Sequence, residues 1–276
     1  MSKVYKLNNG VSVTQTQLDH WNRWLAKASG PQEVVRWAVM TFPHLFQTTA
    51  LGLTGLVTVD MLSKMRSADS DVEVPLIFVD TLHHFPQTLE LLKVVQERYY
   101  TPIGQQISVF RPEGCASEQE FAAKHGDFLW QRDEDQYDYL TKAEPARRAY
   151  HTLGCTAVFT GRRRSQGAAR SGLQFVEIDE LNGIIKINPL ADWTFEQVKQ
   201  YIDDNKVPFN ELLNYGYRSV GDYHSTLPVQ EGEDERAGRW KGSTKTECGI
   251  HETSRFAKYL QSEEQSAPLS SERSEA

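Results

Sequence analysis

Cysteine is scarce and nowhere closely paired: the 276-residue chain holds three, Cys115, Cys155 and Cys248, with no CxxC spacing. A disulfide framework or structural zinc site needs cysteines in spaced sets, so neither is supported. Long apolar runs are also missing. No segment reaches the roughly 20 residues needed to span a bilayer, and the opening MSKVYKLNNGVSVTQ lacks a signal peptide's apolar core. A reducing, cytoplasmic setting is the expectation. Positive charge is in the minority, with 30 Lys and Arg against 37 Asp and Glu and a formal net charge of −7. General nucleic-acid binding depends on basic groups meeting many phosphates and fits this balance poorly. A small polyanion would need locally concentrated positive charge.

What is there is a chain able to bury one substantial core, with no internal repeat. Residues 1–30 read as a polar lead-in with amphipathic helical content around Leu18, Trp21 and Leu25. Pro31 opens a helix that buries Val34, Val35, Ala38 and Val39. Strand signals follow at residues 44–50, 74–79 (VPLIFV), 107–110, 156–160 (TAVFT) and 184–187. Between them lie helical stretches, one with Leu56, Val59 and Leu62 in register and one over residues 88–99. Ser117/Glu120 and Thr194/Gln197 have the spacing of capping boxes. Strands alternating with helices predict an α/β fold with a mostly parallel sheet over residues 31–205. Residues 206–261 form a Gly-, Tyr- and charge-rich arm, rich enough in glycine to be mobile. Residues 262–276 are a polar tail with a disordered composition.

Parallel sheets bind ligands at the carboxyl ends of their strands, where helix N-termini offer free N–H groups to anions. Three segments fall there. TTALGLTG (48–55) supplies Gly52 and Gly55 for close backbone approach and hydroxyls from Thr48, Thr49 and Thr54, but it is neither a Walker loop nor GxGxxG. An ordinary tight turn is the alternative. VDTLHHFPQT (79–88) brings Asp80 and Thr81 to the same edge, where Asp80 either accepts from a nucleoside or caps the next helix. Its adjacent histidines diverge and lack a third ligand, which argues against a metal. TGRRRSQGAAR (160–170) is the densest charge feature, with Arg162, Arg163, Arg164, Ser165 and Arg170. Guanidinium forks suit phosphate and sulfate oxygens, although a solvated basic loop has the same composition.

Cys248 sits in RWKGSTKTECGIH (239–251), among Arg239, Lys241, Lys245, His251 and Arg255 and opposed by Glu247 and Glu252. Nearby cations lower a thiol pKa by stabilising the thiolate, which is the nucleophile. A small buried hydrophobe is the bland alternative. Cys115 and Cys155 read as structural.

In order along the chain, TTALGLTG, VDTLHHFPQT, FTGRRRSQGAAR, INPLADWTFEQVKQYI, GEDERAGRW and KTECGIH resemble the phosphoadenylyl-sulfate (PAPS) reductases of assimilatory sulfate reduction, fungal type. The resemblance spans residues 45–256. It implies a Rossmann-like fold of the adenine-nucleotide α-hydrolase (PP-loop) type, with PAPS across the carboxyl edge of the sheet. Residues 48–55 match the modified PP-loop and residues 162–170 the arginine loop, with Asp80, Thr81, Arg239, Lys241 and Lys245 in the substrate site. Cys248 matches the catalytic cysteine; His251 is either its base or a binder of sulfate oxygens. The implied reaction is attack of the Cys248 thiolate on the PAPS sulfur, loss of adenosine 3′,5′-bisphosphate, and release of sulfite by reduced thioredoxin or glutaredoxin. A cytoplasmic homodimer serving cysteine and methionine biosynthesis is also implied.

One departure narrows the substrate. Related adenylyl-sulfate reductases hold an iron–sulfur cluster on a cysteine pair and a CxxC. Aligning TKAEP (141–145) and SVG (219–221) puts Tyr137, Asp138, Asp222 and Ser225 at those four positions. The resemblance therefore implies no cluster, and PAPS in place of adenylyl sulfate. Two other readings stand beside this one. An ATP pyrophosphatase of the same fold lacks its SGGxDS loop here and leaves Cys248 idle. A non-catalytic nucleotide-binding module would make Cys248 a redox sensor.

Overall fold

In the computed structural model, residues 2–68 and 72–240 are described, together with Lys245, Ile250, Phe256 and Tyr259. The chain opens with an antiparallel hairpin, β1 (Val4–Lys6) and β2 (Ser12–Thr14), leading into α1 (Gln15–Leu25) and α2 (Pro31–Thr41). The α/β unit then runs β3 (Leu45–Thr48), α3 (Leu53–Ala68), β4 (Leu76–Val79), α4 (Pro86–Val95), β5 (Ser108–Phe110) and α5 (Glu118–His125). Two short helices, α6 (Leu129–Arg132) and α7 (Glu134–Asp138), precede α8 (Glu144–Thr152) and β6 (Ala157–Phe159). The unit closes with β7 (Val176–Asp179), β8 (Ile184–Ile187) and α9 (Phe195–Asn205).

The main sheet has six strands in the order β5-β4-β3-β6-β8-β7, all parallel but for β7, which pairs antiparallel to β8. The expected α/β class and parallel sheet are therefore what the chain forms. Continuous apolar runs make the inner strands because both of their faces are covered. Side chains alternate between the faces. Leu76 and Phe78 join the larger core under α2, α3 and α9, whereas Ile77 and Val79 face Ala146, Ala149 and Tyr150 of α8. Each such side chain contributes about 1.5–3 kcal/mol of burial.

Three expectations need correction. The lead-in contains the β1–β2 hairpin, which its polar composition hid. The helix expected over residues 88–99 begins at Pro86 and ends at Val95, with a π turn over Gln96–Tyr100. Ser117 caps Glu120 N, but the Glu120 carboxylate accepts from Ala116 N, so the box is half formed. Strand β7 and the helices α6–α8 were not anticipated. Asn22 of α1 meets β7 with both halves of its amide, donating to Val176 O and accepting from Val176 N at 2.9 Å each.

The chain runs β3, β4, β5 outward, then returns to set β6 on the other side of β3. That reversal places a crevice between the carboxyl ends of β3 and β6. The arm residues 206–240 pack over it, tied to the α/β unit by a bridge between His84 and Asp222 and folded on themselves by one between Thr226 and Arg239. The tail 262–276 lies outside the described residues.

At the head of α9, Thr194 and Gln197 form a complete reciprocal capping box. Thr194→Ala should lower stability by about 1 kcal/mol, read as a shift in urea midpoint at unchanged slope.

Candidate active site

The crevice is built by the two loops that leave β3 and β6. In the first, Leu51 takes a left-handed φ of 58°, a strain of about 1–3 kcal/mol for a residue with a Cβ. The Thr49 hydroxyl accepts from Leu51 N at 3.0 Å and holds the turn. A Cβ on Gly55 would overlap that hydroxyl, so the first turn of α3 closes onto the loop only with glycine there. A Cβ on Gly161 would come 3.2 Å from Gly55 N, so the β6 loop lies directly against the helix terminus. The N-terminal turn of α3, with its donors unpaired within the helix, thus opens into the crevice.

Six arginines line the resulting cleft: Arg162, Arg163, Arg170, Arg218, Arg236 and Arg239. Arg218 lies over the Phe195 ring at 5.8 Å, and the other five are held by neighbouring side chains. Arg163, 2% exposed, donates from Nε to Thr54 Oγ1 at 2.9 Å and from Nη1 to Ser165 Oγ at 2.7 Å. Its Nη2 meets both oxygens of Glu235 at 2.8 and 2.6 Å. Arg162 is oriented by Glu177 at 2.6 Å, and Arg170 by Gln166. Arg236 and Arg239 lie over the Trp240 ring, 5.2 and 4.5 Å from its centroid, held by cation–π attraction. Guanidinium groups so fixed form a preorganised anion cradle.

Of the residues picked out by sequence, Thr48, Thr49, Gly52, Thr54, Gly55, Thr81, Arg162, Arg163, Arg170 and Arg239 line this cleft. Asp80, Arg164 and Ser165 do not. The Asp80 carboxylate accepts from Leu82 N at 3.0 Å in a local turn and pairs with Arg111 at 2.8 Å, so it neither faces the cleft nor caps α4, whose N-cap is Phe85. Arg164 turns out to Asp192 and to Leu173 O. Ser165 bridges Arg163 and Trp193 O. Lys245 enters a second cavity, against Asp138 and Glu134. Cys248, His251 and Lys241 lie outside the described residues. Cys115 and Cys155 are buried, and burial pushes the Cys155 thiol up to about 12, which makes it inert. The rings of His83 and His84 do diverge: His83 donates to Thr81 O at 2.7 Å and His84 meets Val79 O at 3.2 Å.

Lys142, Asp222, Glu235 and Trp240 also line the cleft and were missed as site residues. The fragments TKAEP (141–145), SVG (219–221) and GEDERAGRW (232–240) contain or adjoin them, and their charged residues were the available signal. Lys142 Nζ lies 2.8 Å from Asp138 and 2.7 Å from Asp222, with all three side chains buried. Asp222 also accepts from Thr81 at 2.6 Å and Tyr137 at 3.1 Å. Burial works against its ionisation, but Lys142, then His84 and His224, outweigh it and hold the carboxyl well below the usual range. Asp138 is likewise depressed, burial being overcome by Lys142 and Lys245.

Tyr137, Asp138, Asp222 and Ser225, far apart in sequence, therefore meet around Lys142, with Ser225 in the wall of the same second cavity. These are the four positions that the sequence reading sets against the cysteines of an iron–sulfur cluster. Phenol, carboxylates and hydroxyl offer no thiolate, and Lys142 and its partners take up the room, so these residues do not fit an iron–sulfur cluster.

A sequence profile for the phosphoadenosine phosphosulfate reductase domain matches residues 44–228. The phosphoadenosine phosphosulfate reductase of Saccharomyces cerevisiae is 66% identical over 258 residues, covering 94% of this chain and 98% of that one. An adenosine 5′-phosphosulfate reductase of Halalkalibacterium halodurans is 39% identical over 221 residues, covering 80% of this chain and 90% of that one. The crystal structure of the phosphoadenylyl-sulfate reductase from Candida auris, in a phosphate complex, superposes with a TM-score of 0.70 at 53% identity. It covers 79% of this chain and 99% of that one.

The His224 ring, stacked 4.3 Å from Trp130, gives a pH test. Burial, opposed by Asp222 and reinforced by Lys142, pushes its imidazole down from 6.5 to about 4. Between those values the unfolded chain binds a proton that the folded chain does not, so stability falls as pH falls through this window. His224→Gln should flatten that slope, measured by urea unfolding at several pH values; an unchanged slope would contradict the buried neutral ring.

Proposed function

Because the chain belongs to the phosphoadenosine phosphosulfate reductase family, we propose that its cleft takes 3′-phosphoadenylyl sulfate and that the chain reduces it to sulfite in sulfate assimilation. The observation that carries this reading is the convergence of six arginines and the N-terminus of α3 on one cleft, in a chain whose net charge is −7. Such a cleft suits a ligand with several phosphate and sulfate groups.

Cys248 is the nucleophile in this reading. Cys115 and Cys155 are both buried, whereas Cys248 lies between Lys245 and Ile250, and Ile250 is in the cleft wall. The Cys248 thiolate attacks the sulfonyl sulfur of PAPS and forms an S–S bond as the S–O bond to the phosphate breaks. The leaving electron pair stays on adenosine 3′,5′-bisphosphate, whose growing charge the arginine cradle stabilises. The product on the chain is Cys248 S-sulfonate. A thiolate of reduced thioredoxin then attacks Sγ of Cys248 and expels sulfite. Its second thiol resolves the mixed disulfide, so two electrons pass from the dithiol to the sulfonate. Splitting the displacement in two is what an activated thiolate achieves. His251 serves this step as base or as a donor to sulfate oxygens, alongside Arg239 and Lys241. Reduction without an iron–sulfur cluster, in a cytoplasmic homodimer, completes the reading. The residues around Lys142 support its cluster-free part.

Mixing the chain with PAPS in the absence of reductant should add the mass of one sulfonate group, mapped by peptide analysis to Cys248. Cys248→Ser should take up none and give no thioredoxin-dependent sulfite. Full activity in Cys248→Ser would overturn the assignment.

A further inference from the structure

Two contacts outside the arginine cradle hold the arm on either side of position 248. On one side Lys245, whose side chain is 3% exposed, pairs with Asp138, lies 3.5 Å from Glu134 and sits 5.1 Å from the Trp240 ring. On the other, Lys186 Nζ donates to Ile250 O at 3.1 Å, while the Ile250 side chain packs on the cluster of Phe46, Ile77 and Val158. Position 248 lies three residues from the first anchor and two from the second, within about 10 Å of chain from each.

Neither anchor is explained by the fold. Lys186 occupies β8, where its neighbours are Ile184, Ile185 and Ile187, all fully buried. An ammonium there is costly and needs Asp179, 2.5 Å away, to be tolerated. An apolar residue would build the strand more cheaply, but it would offer nothing to the Ile250 carbonyl. Asp138 is shared between Lys142 and Lys245. Were Lys245 to leave, Lys142 would still face both Asp138 and Asp222, so the seat keeps a cation yet carries surplus negative charge that draws Lys245 back.

We propose that Asp138 and Lys186 are positioning residues that clip the arm at Lys245 and Ile250 and thereby present Cys248 to the bound substrate. This rests on the reading of Cys248 as nucleophile. The clip acts on the chemical step and leaves nucleotide binding to the arginine cradle.

Kinetics of the full chain test it. Lys245→Gln and Lys186→Met should each lower kcat for sulfite formation tenfold or more. KM for PAPS and the Kd of adenosine 3′,5′-bisphosphate should change less than threefold. Lys245→Arg should restore most of kcat, which loss of a merely structural side chain would not predict. In Lys186→Met, trypsin should cut after Lys245 at least tenfold faster than in the parent. If that variant does not fold, the Lys245→Gln and Lys245→Arg pair decides alone. Full kcat in Lys245→Gln overturns the clip even while Cys248 still takes up sulfonate, and so does weakening of nucleotide binding in parallel with kcat. A parent chain left unmodified by PAPS sinks the nucleophile assignment and the clip with it.

Discussion

The buried guanidinium of Arg163 is the junction on which the rest of the site depends. It touches Thr54 at the head of α3, Ser165 in its own loop, Trp193 before α9 and Glu235 in the arm. Four segments distant in sequence therefore share one charge. At 2% exposure that charge is tolerable only because every side of it meets an acceptor. Removing one partner of such a pair typically costs about 3–5 kcal/mol, since the other is left buried and uncompensated. The arm's position over the cleft is thus set by electrostatics as much as by apolar contact.

The same logic divides the site into two regions of opposite character. On the cleft side, arginines are fixed by carboxylates, an amide and an indole, so an anion of the proposed kind would meet them without their rearranging. On the other side, Asp138 and Asp222 surround Lys142, which borders both cavities. A phenol, two carboxylates and a lysine hold these segments together here.

Much of the fold was legible because its signals are local. VPLIFV and TAVFT are buried strands since nothing polar interrupts them, and Thr194 with Gln197 names a helix start. β7 was illegible because VEID carries two acids, which read as loop until Lys186 across the pair is known to neutralise Asp179. The cleft was legible in part. Gly55 and the arginine loop declared themselves, but composition cannot tell which of three consecutive arginines points inward: Arg162 and Arg163 enter the cleft, while Arg164 turns away to Asp192. Asp80 looked like a ligand and is consumed by Arg111 and a backbone amide. Lys142 and Asp222 are 80 residues apart in sequence, and only the folded chain brings them together.

The amide of Asn22 has a consequence at the far edge of the molecule. A sheet that ended bare at β7 would present unpaired peptide groups to any extended chain that drifted by. Asn22 donates to and accepts from the same peptide-bearing residue, Val176, as the backbone of another strand would. One side chain from a helix therefore occupies that position as a seventh strand would, and breaks the run of free peptide groups along the edge.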